Sequence, residues 1–247
     1  MRTALLLIAA LLPWPVAAAE RLPAGFAYLR DIAPSIAQDM RYATADNFTG
    51  QPLPGYGAPE CVLRREVAQA LSQVQADLAR KNLSLKVYDC YRPTRAVRAF
   101  VRWAHDGARD SATKRFFPTI EKRRLFAAGY IAAHSVHSTG AAVDLTLVKL
   151  PSPPTPPFDP RAAYGACTAP AALRAPDSGI DMGTGFDCFD AKSHTASGAI
   201  AAEPQRWRAR LVAAMRAHGL RNYFREWWHF SFGPRRAQAY DFPIEPR

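Results

Sequence analysis

Two short segments of the chain carry side chains that could hold a metal ion and move a proton. The first reads SVHSTGAAVD, in which His137 is the third residue and Asp144 the last. The second reads EWWH and runs from Glu226 to His229. Two imidazoles and a carboxylate provide three N/O ligands with an open fourth position, the composition of a hydrolytic zinc site. We therefore predict one zinc ion per chain, bound by His137, Asp144 and His229. Glu226 is the predicted general base, because it is a further carboxylate beside the ligands.

Local chain geometry must bring these groups together. Gly140 permits a tight reversal, so that a strand over residues 142–147 can return Asp144 to His137. In an ideal strand, however, Glu226 and His229 point to opposite faces. We therefore expect either that Glu226 stands at the entrance of its strand or that a β-bulge intervenes.

The pattern S-x-H-x-x-G-x-A-x-D followed by E-x-W-H resembles that of the zinc D-alanyl-D-alanine dipeptidases, relatives of the D,D-carboxypeptidases and of the Hedgehog-like zinc fold. Three other segments resemble further motifs of this family. They read DMRYATADNFTG from Asp39, DCYRP from Asp89 and DMGTGFD ending at Asp187. The motifs follow the family's order from about Asp39 to the C-terminus.

The resemblance implies a single α+β domain, in which helices pack against a small, largely antiparallel sheet that carries the zinc site on its open face. It also implies hydrolysis of D-Ala-D-Ala to two D-alanines. Two alternatives stay open: a zinc D,D-carboxypeptidase or endopeptidase that acts on longer wall peptides, and a non-catalytic wall-binding or signalling module. The resemblance assigns Asp187 to binding of a free amine, which a longer peptide lacks at that place, and this argues against the first alternative. The presence of Glu226 and Arg92, which would serve catalysis, argues against the second.

By the same resemblance, five side chains outside the metal ligands would serve the substrate site: one would stabilise charge, three would bind the dipeptide and one would support them. Arg92 would stabilise the oxyanion, since a fixed guanidinium lowers the barrier where negative charge develops. Asp187 and Tyr42 would bind the free α-amine of the dipeptide, and Ser135 its carboxylate end. Asp89 would hold Arg92 in position. The alternative is that Arg92 and Asp89 form a purely structural pair.

Residues 1–19 have the pattern of a cleaved secretory signal. They contain one positive charge at Arg2, an apolar run over residues 5–12 and an A-x-A end before Glu20. The run is shorter than the ~20 residues of a membrane span, prolines follow it, and no cysteine marks a lipoprotein cut. We expect a mature domain over residues 20–247, without stable membrane insertion, in the periplasm. That location favours a role in cell-wall turnover.

The charge balance is basic, with 32 Lys and Arg against 21 Asp and Glu. The charges are dispersed, and export makes a nucleic-acid partner improbable, so we expect none. A cationic surface suits an anionic cell wall. The sequence carries no signal for an oligomeric state.

Four cysteines in an exported chain predict two disulfides, for which three connectivities exist. Four free thiols are the alternative, whereas the absence of a C-x-x-C pair disfavours a cysteine metal site. Position in the chain favours Cys61 with Cys90, as a bridge between a helix and the strand before Arg92. It also favours Cys167 with Cys188, which flank the segment ending at Asp187.

Apolar periodicity predicts the elements that position these side chains. It indicates helices over residues 62–81 and 202–220 and after Pro93, a short helix ending near residue 126, and strands over residues 83–88, 142–147 and 226–232. Six prolines between residues 151 and 160 instead predict a surface loop of polyproline character, over residues 149–164. This loop is longer than the connection usual in the family and could line the cleft.

Overall fold

The computed structural model describes residues 22–107, 113–233 and 238–247. The predicted signal segment, residues 1–19, lies outside these ranges. None of the helices in the described ranges combines the length and the apolar character that a bilayer crossing requires.

The described residues form strands and helices in alternation. The strands are β1 (Phe26–Tyr28), β2 (Ala37–Gln38), β3 (Val62–Arg64), β4 (Leu83–Asp89), β5 (Ala142–Lys149), β6 (Leu220–Tyr223) and β7 (Glu226–Phe232). The α-helices are α1 (Leu29–Ile32), α2 (Arg65–Ala79), α3 (Thr94–His105) and α4 (Ala202–Ala217).

Five strands make one sheet in the order β2-β4-β5-β7-β6. The pairs β4–β5, β5–β7 and β7–β6 are antiparallel, and only the short edge strand β2 is parallel to its neighbour β4. Strands β1 and β3 form a separate antiparallel pair. The architecture confirms the predicted α+β class with a small, mainly antiparallel sheet and packed helices.

The central strand β5 is buried on both faces. Val143, Leu145 and Leu147 belong to the main core, into which α2 and α4 also pack their apolar sides. The opposite face carries Asp144 and Thr146, which are also buried. Around Thr146 an irregular segment covers this face: Asp177 accepts hydrogen bonds from Lys86 and Tyr88 of β4, and a Cβ on Gly179 would lie 2.8 Å from the Thr146 methyl group. This part of the face is therefore less open than the sequence suggested.

Several element boundaries differ from the prediction for identifiable reasons. Helix α2 begins at Arg65 and not at residue 62, because residues 62–64 pair with β1. Helix α4 ends at Ala217, since Gly219 has a positive φ of 83° and leads directly into β6. The short helix expected before residue 126 is reduced to a 3₁₀ turn over Lys122–Arg124. The proline-rich loop begins at residue 150 and not at 149, because β5 continues to Lys149; from there to residue 164 it has no helix or strand and is largely exposed, as predicted.

Both predicted disulfides are present. Cys61 is bonded to Cys90 and Cys167 to Cys188, with Cα–Cα distances of 5.3 and 5.4 Å. No cysteine of the chain is left free. The first bridge joins the residue before β3 to the residue after β4. The second ties the residue next to Asp187 to the chain that follows the proline-rich loop.

Candidate metal and substrate site

The three predicted metal ligands converge in the structure. The Nε2 atom of His137 lies 3.0 Å from Nδ1 of His229 and 3.2 Å from Oδ1 of Asp144. The same Asp144 oxygen lies 3.0 Å from Nδ1 of His229. Within the described residues, these three side chains are the group of His, Cys, Asp and Glu whose donor atoms could hold one ion.

The donor set fits a zinc ion. Ligands ~2.1 Å from a tetrahedral zinc lie ~3.4 Å from one another, slightly farther apart than the three donor atoms here. Nδ1 of His137 lies 2.7 Å from the carbonyl oxygen of Cys90 and so carries the proton, which leaves the lone pair on Nε2 for a metal. Burial lowers the pKa of His229 and keeps its imidazole neutral, although Asp144 acts in the opposite direction.

Strand register places the acidic and imidazole groups in one row. Asp144 on β5 is paired directly with His229 on β7, and on its other side with Asp89 on β4. His137 reaches this row from a 3₁₀ turn that precedes β5 and ends at Gly140. Gly140 has a φ of 75°, and a Cβ there would collide with the ring of Phe26, so the predicted tight reversal depends on glycine.

Glu226 lies beside the candidate metal ligands, and both of the arrangements expected from the sequence are present: it stands at the entrance of its strand, and the strand pairing is irregular next to it. It is the first residue of β7, and the β6–β7 register shifts between the pairs Tyr223–Glu226 and Asn222–Phe230. Its Oε2 lies 3.9 Å from Nδ1 of His229. Burial raises the pKa of Glu226 well above its usual range, and the nearby carboxylates of Asp144 and Asp187 raise it further. The raised pKa favours the protonated form of this carboxyl.

Arg92 points into the same cavity and is held by Asp89. Its Nε and Nη2 lie 2.9 and 2.8 Å from Asp89 Oδ2, and Nη2 lies 3.6 Å from Asp144 Oδ2. The guanidinium carbon stands 4.9 Å from the ring centroid of Tyr42 and 5.0 Å from that of Phe100. The Arg92–Asp89 pair is therefore present, and it fixes the guanidinium at the wall of the cavity.

Asp187 and Tyr42 form a buried pair 145 residues apart. The Tyr42 hydroxyl donates a 2.7 Å hydrogen bond to Asp187 Oδ2. The side chains lie in a site where Asp187 is 5 % exposed and Tyr42 1 %. Burial and the charge of Asp144 raise the pKa of Asp187 to about 8, although Tyr42 and Arg92 act to lower it. A cationic ligand would favour the ionised form of this carboxyl.

These groups line one cavity of about 500 Å³. Its wall includes Tyr42, Arg92, Ser135, His137, Asp144, Asp187, Glu226 and His229, together with the aromatic side chains of Phe48, Phe100, Tyr130, Phe189, Tyr223 and Trp228. Asp89 lies behind Arg92 and is fully buried. His134 also lines the cavity, but it is not part of the three-ligand group. The proline-rich loop contributes no residue to this wall; its Pro156 lines a second cavity.

Two supporting side chains were not foreseen from the sequence. The hydroxyl of Tyr56 donates to Asp89 Oδ1 at 2.6 Å, on the carboxylate that also holds Arg92. The side-chain amide of Asn222 donates to the carbonyl oxygens of Glu226 and His229, each at 3.0 Å, and so stabilises the irregular start of β7. Both contacts depend on tertiary structure, and no local pattern marks either residue.

Comparison with known proteins gives consistent matches. The family model described as "D-ala-D-ala dipeptidase" matches residues 23–152 and 158–244, so that the unmatched residues between them fall in the proline-rich loop. Three curated proteins named D-alanyl-D-alanine dipeptidase are similar over most of their length. The Enterococcus faecium protein is 32 % identical over 90 % of this chain and 98 % of its own. The Streptomyces coelicolor protein is 34 % identical over 89 % and 98 %. The Escherichia coli protein is 27 % identical over 86 % and 85 %.

Proposed function

The chain belongs to the D-Ala-D-Ala dipeptidase family of M15 peptidases, and from this premise we propose that it is an exported zinc dipeptidase. It hydrolyses D-alanyl-D-alanine to two D-alanines during cell-wall turnover. The observation that carries the proposal is one cavity that contains both a His-Asp-His donor set and a buried Asp187–Tyr42 pair.

Zinc would be held by His137, Asp144 and His229, and when bound it supplies Lewis acidity that activates water and polarises a peptide carbonyl. Glu226 accepts the proton of the attacking water and delivers it to the leaving amine nitrogen. The raised pKa of Glu226, which comes from its burial and from Asp144 and Asp187, suits it to hold this proton between the two steps.

Arg92 stabilises the negative charge that develops on the carbonyl oxygen. Its guanidinium is fixed by Asp89 and stacked near Tyr42 and Phe100, so little reorganisation is needed as the charge appears. Asp89 in turn is fixed by the hydrogen bond from Tyr56. Asp89 therefore acts through Arg92 and not on substrate directly.

The site selects for substrate length by binding the free amine of the dipeptide. Asp187 accepts the ammonium group of the dipeptide, and Tyr42 orients the carboxylate for it. A longer wall peptide has no ammonium at this position and therefore does not gain the ion pair with Asp187 that a free amine makes. Ser135 lies on the cavity wall, where its hydroxyl proton is able to bond the carboxylate end of the substrate.

Two substrates test the proposed activity. Purified zinc-loaded protein should hydrolyse D-Ala-D-Ala and leave N-acetyl-D-Ala-D-Ala intact, with D-alanine release as the readout. Equal cleavage of both compounds would favour the carboxypeptidase alternative. No cleavage of either by protein that carries zinc would favour the wall-binding module.

Export is proposed on two grounds: the signal-like residues 1–19, and two disulfides, which are typical of oxidising compartments. N-terminal sequencing of the protein from a periplasmic fraction should give a chain that begins near Glu20. A full-length chain confined to the cytoplasm would contradict this proposal.

A further inference from the structure

Asp187 lies in a loop that borders a cavity on one side. We define the amine-recognition loop as residues 182–194. Met182, Thr184 and Phe186 face a second cavity of about 350 Å³, which shares no lining residue with the first. Asp187 itself has a φ of 53°, a left-handed conformation that costs a non-glycine residue free energy and persists only where the surroundings fix it. The restraint must therefore come from elsewhere.

Contacts within the loop supply part of this restraint. Ser193 donates its hydroxyl to the carbonyl of Cys188 at 2.6 Å, and Trp227 donates Nε1 to the hydroxyl of Thr184 at 2.9 Å. The disulfide from Cys188 to Cys167 anchors the middle. The hydroxyls of Thr184 and Ser193 lie 3.2 Å apart, so one neutral side-chain hydrogen bond links the two halves of the loop.

Arg208 of helix α4 adds three charge-assisted hydrogen bonds at the outer ends of the loop. Its Nε donates to the carbonyl of Met182 at 2.7 Å, and its Nη1 donates to the carbonyls of Lys192 and His194 at 2.8 and 2.7 Å. Met182 lies five residues before Asp187 and Lys192 five residues after it. One guanidinium thus closes the loop at both ends, with Asp187 at its centre.

The burial of Arg208 is costly. The side chain is fully buried, and within the described ranges no carboxylate lies at ion-pair distance from it and its Nη2 lacks a hydrogen-bond partner. Burial lowers the pKa of Arg208 to about 10, although Asp181 acts in the opposite direction. An apolar residue at this position of α4 would avoid the cost. Only a planar guanidinium, with several donors in fixed geometry, reaches all three carbonyls.

We propose that Arg208 is a positioning residue of the dipeptidase reaction: by joining the two ends of the amine-recognition loop it holds Asp187 against Tyr42 and so sets the affinity for a free amine. The inference rests on the proposed function. It assigns Arg208 no contact with substrate or metal.

The test compares Arg208→Met with Leu211→Ala, a control in the same helix. Leu211 is fully buried in the main core and does not contact the loop carbonyls through a polar atom. Both substitutions lower stability, so assays are run at temperatures equally far below each Tm. Arg208→Met should raise KM for D-Ala-D-Ala about tenfold or more, with kcat changed less and zinc content unchanged. Leu211→Ala should keep the wild-type KM.

A second measurement distinguishes a displaced Asp187 from a general loss of rigidity in the protein. The preference for D-Ala-D-Ala over N-acetyl-D-Ala-D-Ala should fall in Arg208→Met and persist in Leu211→Ala. Arg208→Lys keeps the charge but fewer donors, and it should give an intermediate KM. Where Arg208→Met does not fold, the Lys variant decides by its KM and by hydrogen exchange of the loop amides, which should be faster than in Leu211→Ala.

Each contrary outcome has a distinct meaning. Wild-type KM and wild-type preference in both Arg208 variants would overturn the inference while leaving the dipeptidase function intact. Loss of zinc from Arg208→Met would also overturn it, because the residue would then act through the metal site. Failure of the wild-type protein itself to cleave D-Ala-D-Ala would overturn the proposed function, independently of the Arg208 comparison.

Discussion

The imidazole Nδ1 of His137 lies 2.7 Å from the carbonyl oxygen of Cys90. Cys90 is bonded to Cys61, so one disulfide fixes the peptide group that orients a candidate metal ligand. The other disulfide fixes the residue next to Asp187. The two covalent bridges therefore support two different parts of one cavity, the candidate metal ligands and the proposed amine site.

This division predicts different losses when each bridge is removed. Replacing Cys61 and Cys90 by alanine should weaken zinc binding, because the hydrogen bond that orients His137 loses its rigid partner. Replacing Cys167 and Cys188 should instead raise KM for D-Ala-D-Ala with zinc affinity preserved. Each bridge closes a loop worth about 3–4 kcal/mol in the chain-entropy model, so both variants should have a lower Tm. Zinc titration and steady-state kinetics distinguish them, and identical behaviour of the two variants would refute the division.

Glu226→Ala should still bind one zinc while losing most of its activity, because Glu226 moves a proton and is not a ligand. General acid–base groups contribute about 10²–10⁴-fold to rate, which sets the expected fall in kcat. His229→Ala, three residues along the same strand, is the matched variant and should lose the metal. Elemental analysis of both proteins checks the assignment, and a metal-free Glu226→Ala protein would contradict it.

Asp187→Asn should abolish selection for a free amine while preserving the shape of the site. Replacing the ionised group removes its attraction for an ammonium, so kcat/KM for D-Ala-D-Ala should fall by about 10² or more. Activity on the acetylated dipeptide should fall less or rise. Tyr42→Phe, which removes the hydrogen bond but not the charge, should show a smaller change. Competition assays with both dipeptides give the ratio directly, and a ratio unchanged in Asp187→Asn would exclude this carboxylate as the amine site.

Asp177, which lies outside the candidate metal site, should make the free energy of unfolding depend on pH. Burial opposes ionisation of Asp177, but Arg41 and Lys86 outweigh it and lower the pKa of Asp177 to about 2. Because the folded value lies below the ordinary value of about 4, the stabilisation is complete above pH ~4 and is lost as pH falls toward 2. With allowance for partial exposure, we expect about 1–2 kcal/mol from this group. Denaturant unfolding at several pH values should show a smaller change over this interval in Asp177→Asn than in the wild-type protein.

The sequence predicted which side chains meet at the candidate site better than it predicted the contacts that hold them there. Metal ligands and Glu226 lie in compact motifs, and the parity of β7 correctly anticipated the irregular start of that strand. Register could not be predicted: the row formed by Asp89, Asp144 and His229 exists only because β4, β5 and β7 are adjacent. The irregular segment that covers Thr146 on the same sheet face was also missed, since no periodic pattern marks such a cover.

Residues that act through backbone carbonyls were the hardest to foresee. Asn222 and Arg208 each satisfy carbonyl oxygens of segments distant in sequence, and a carbonyl carries no residue-specific signal. Tyr56 similarly reaches Asp89 across 33 positions. Helix α2 starts late for a related reason, because its first predicted turn is used to pair with β1. In each case a long-range partner determined the outcome.

The central position of β5 has a consequence for how the molecule responds to heat. Strands β5 and β7, which carry Asp144 and His229, are hydrogen-bonded to neighbours on both sides. The loop around Asp187 has no such ladder and borders a cavity. Local opening requires less free energy where few hydrogen bonds and apolar contacts must break. As temperature rises, we therefore expect an interval in which the protein still cuts peptide bonds but has become indiscriminate about what it cuts.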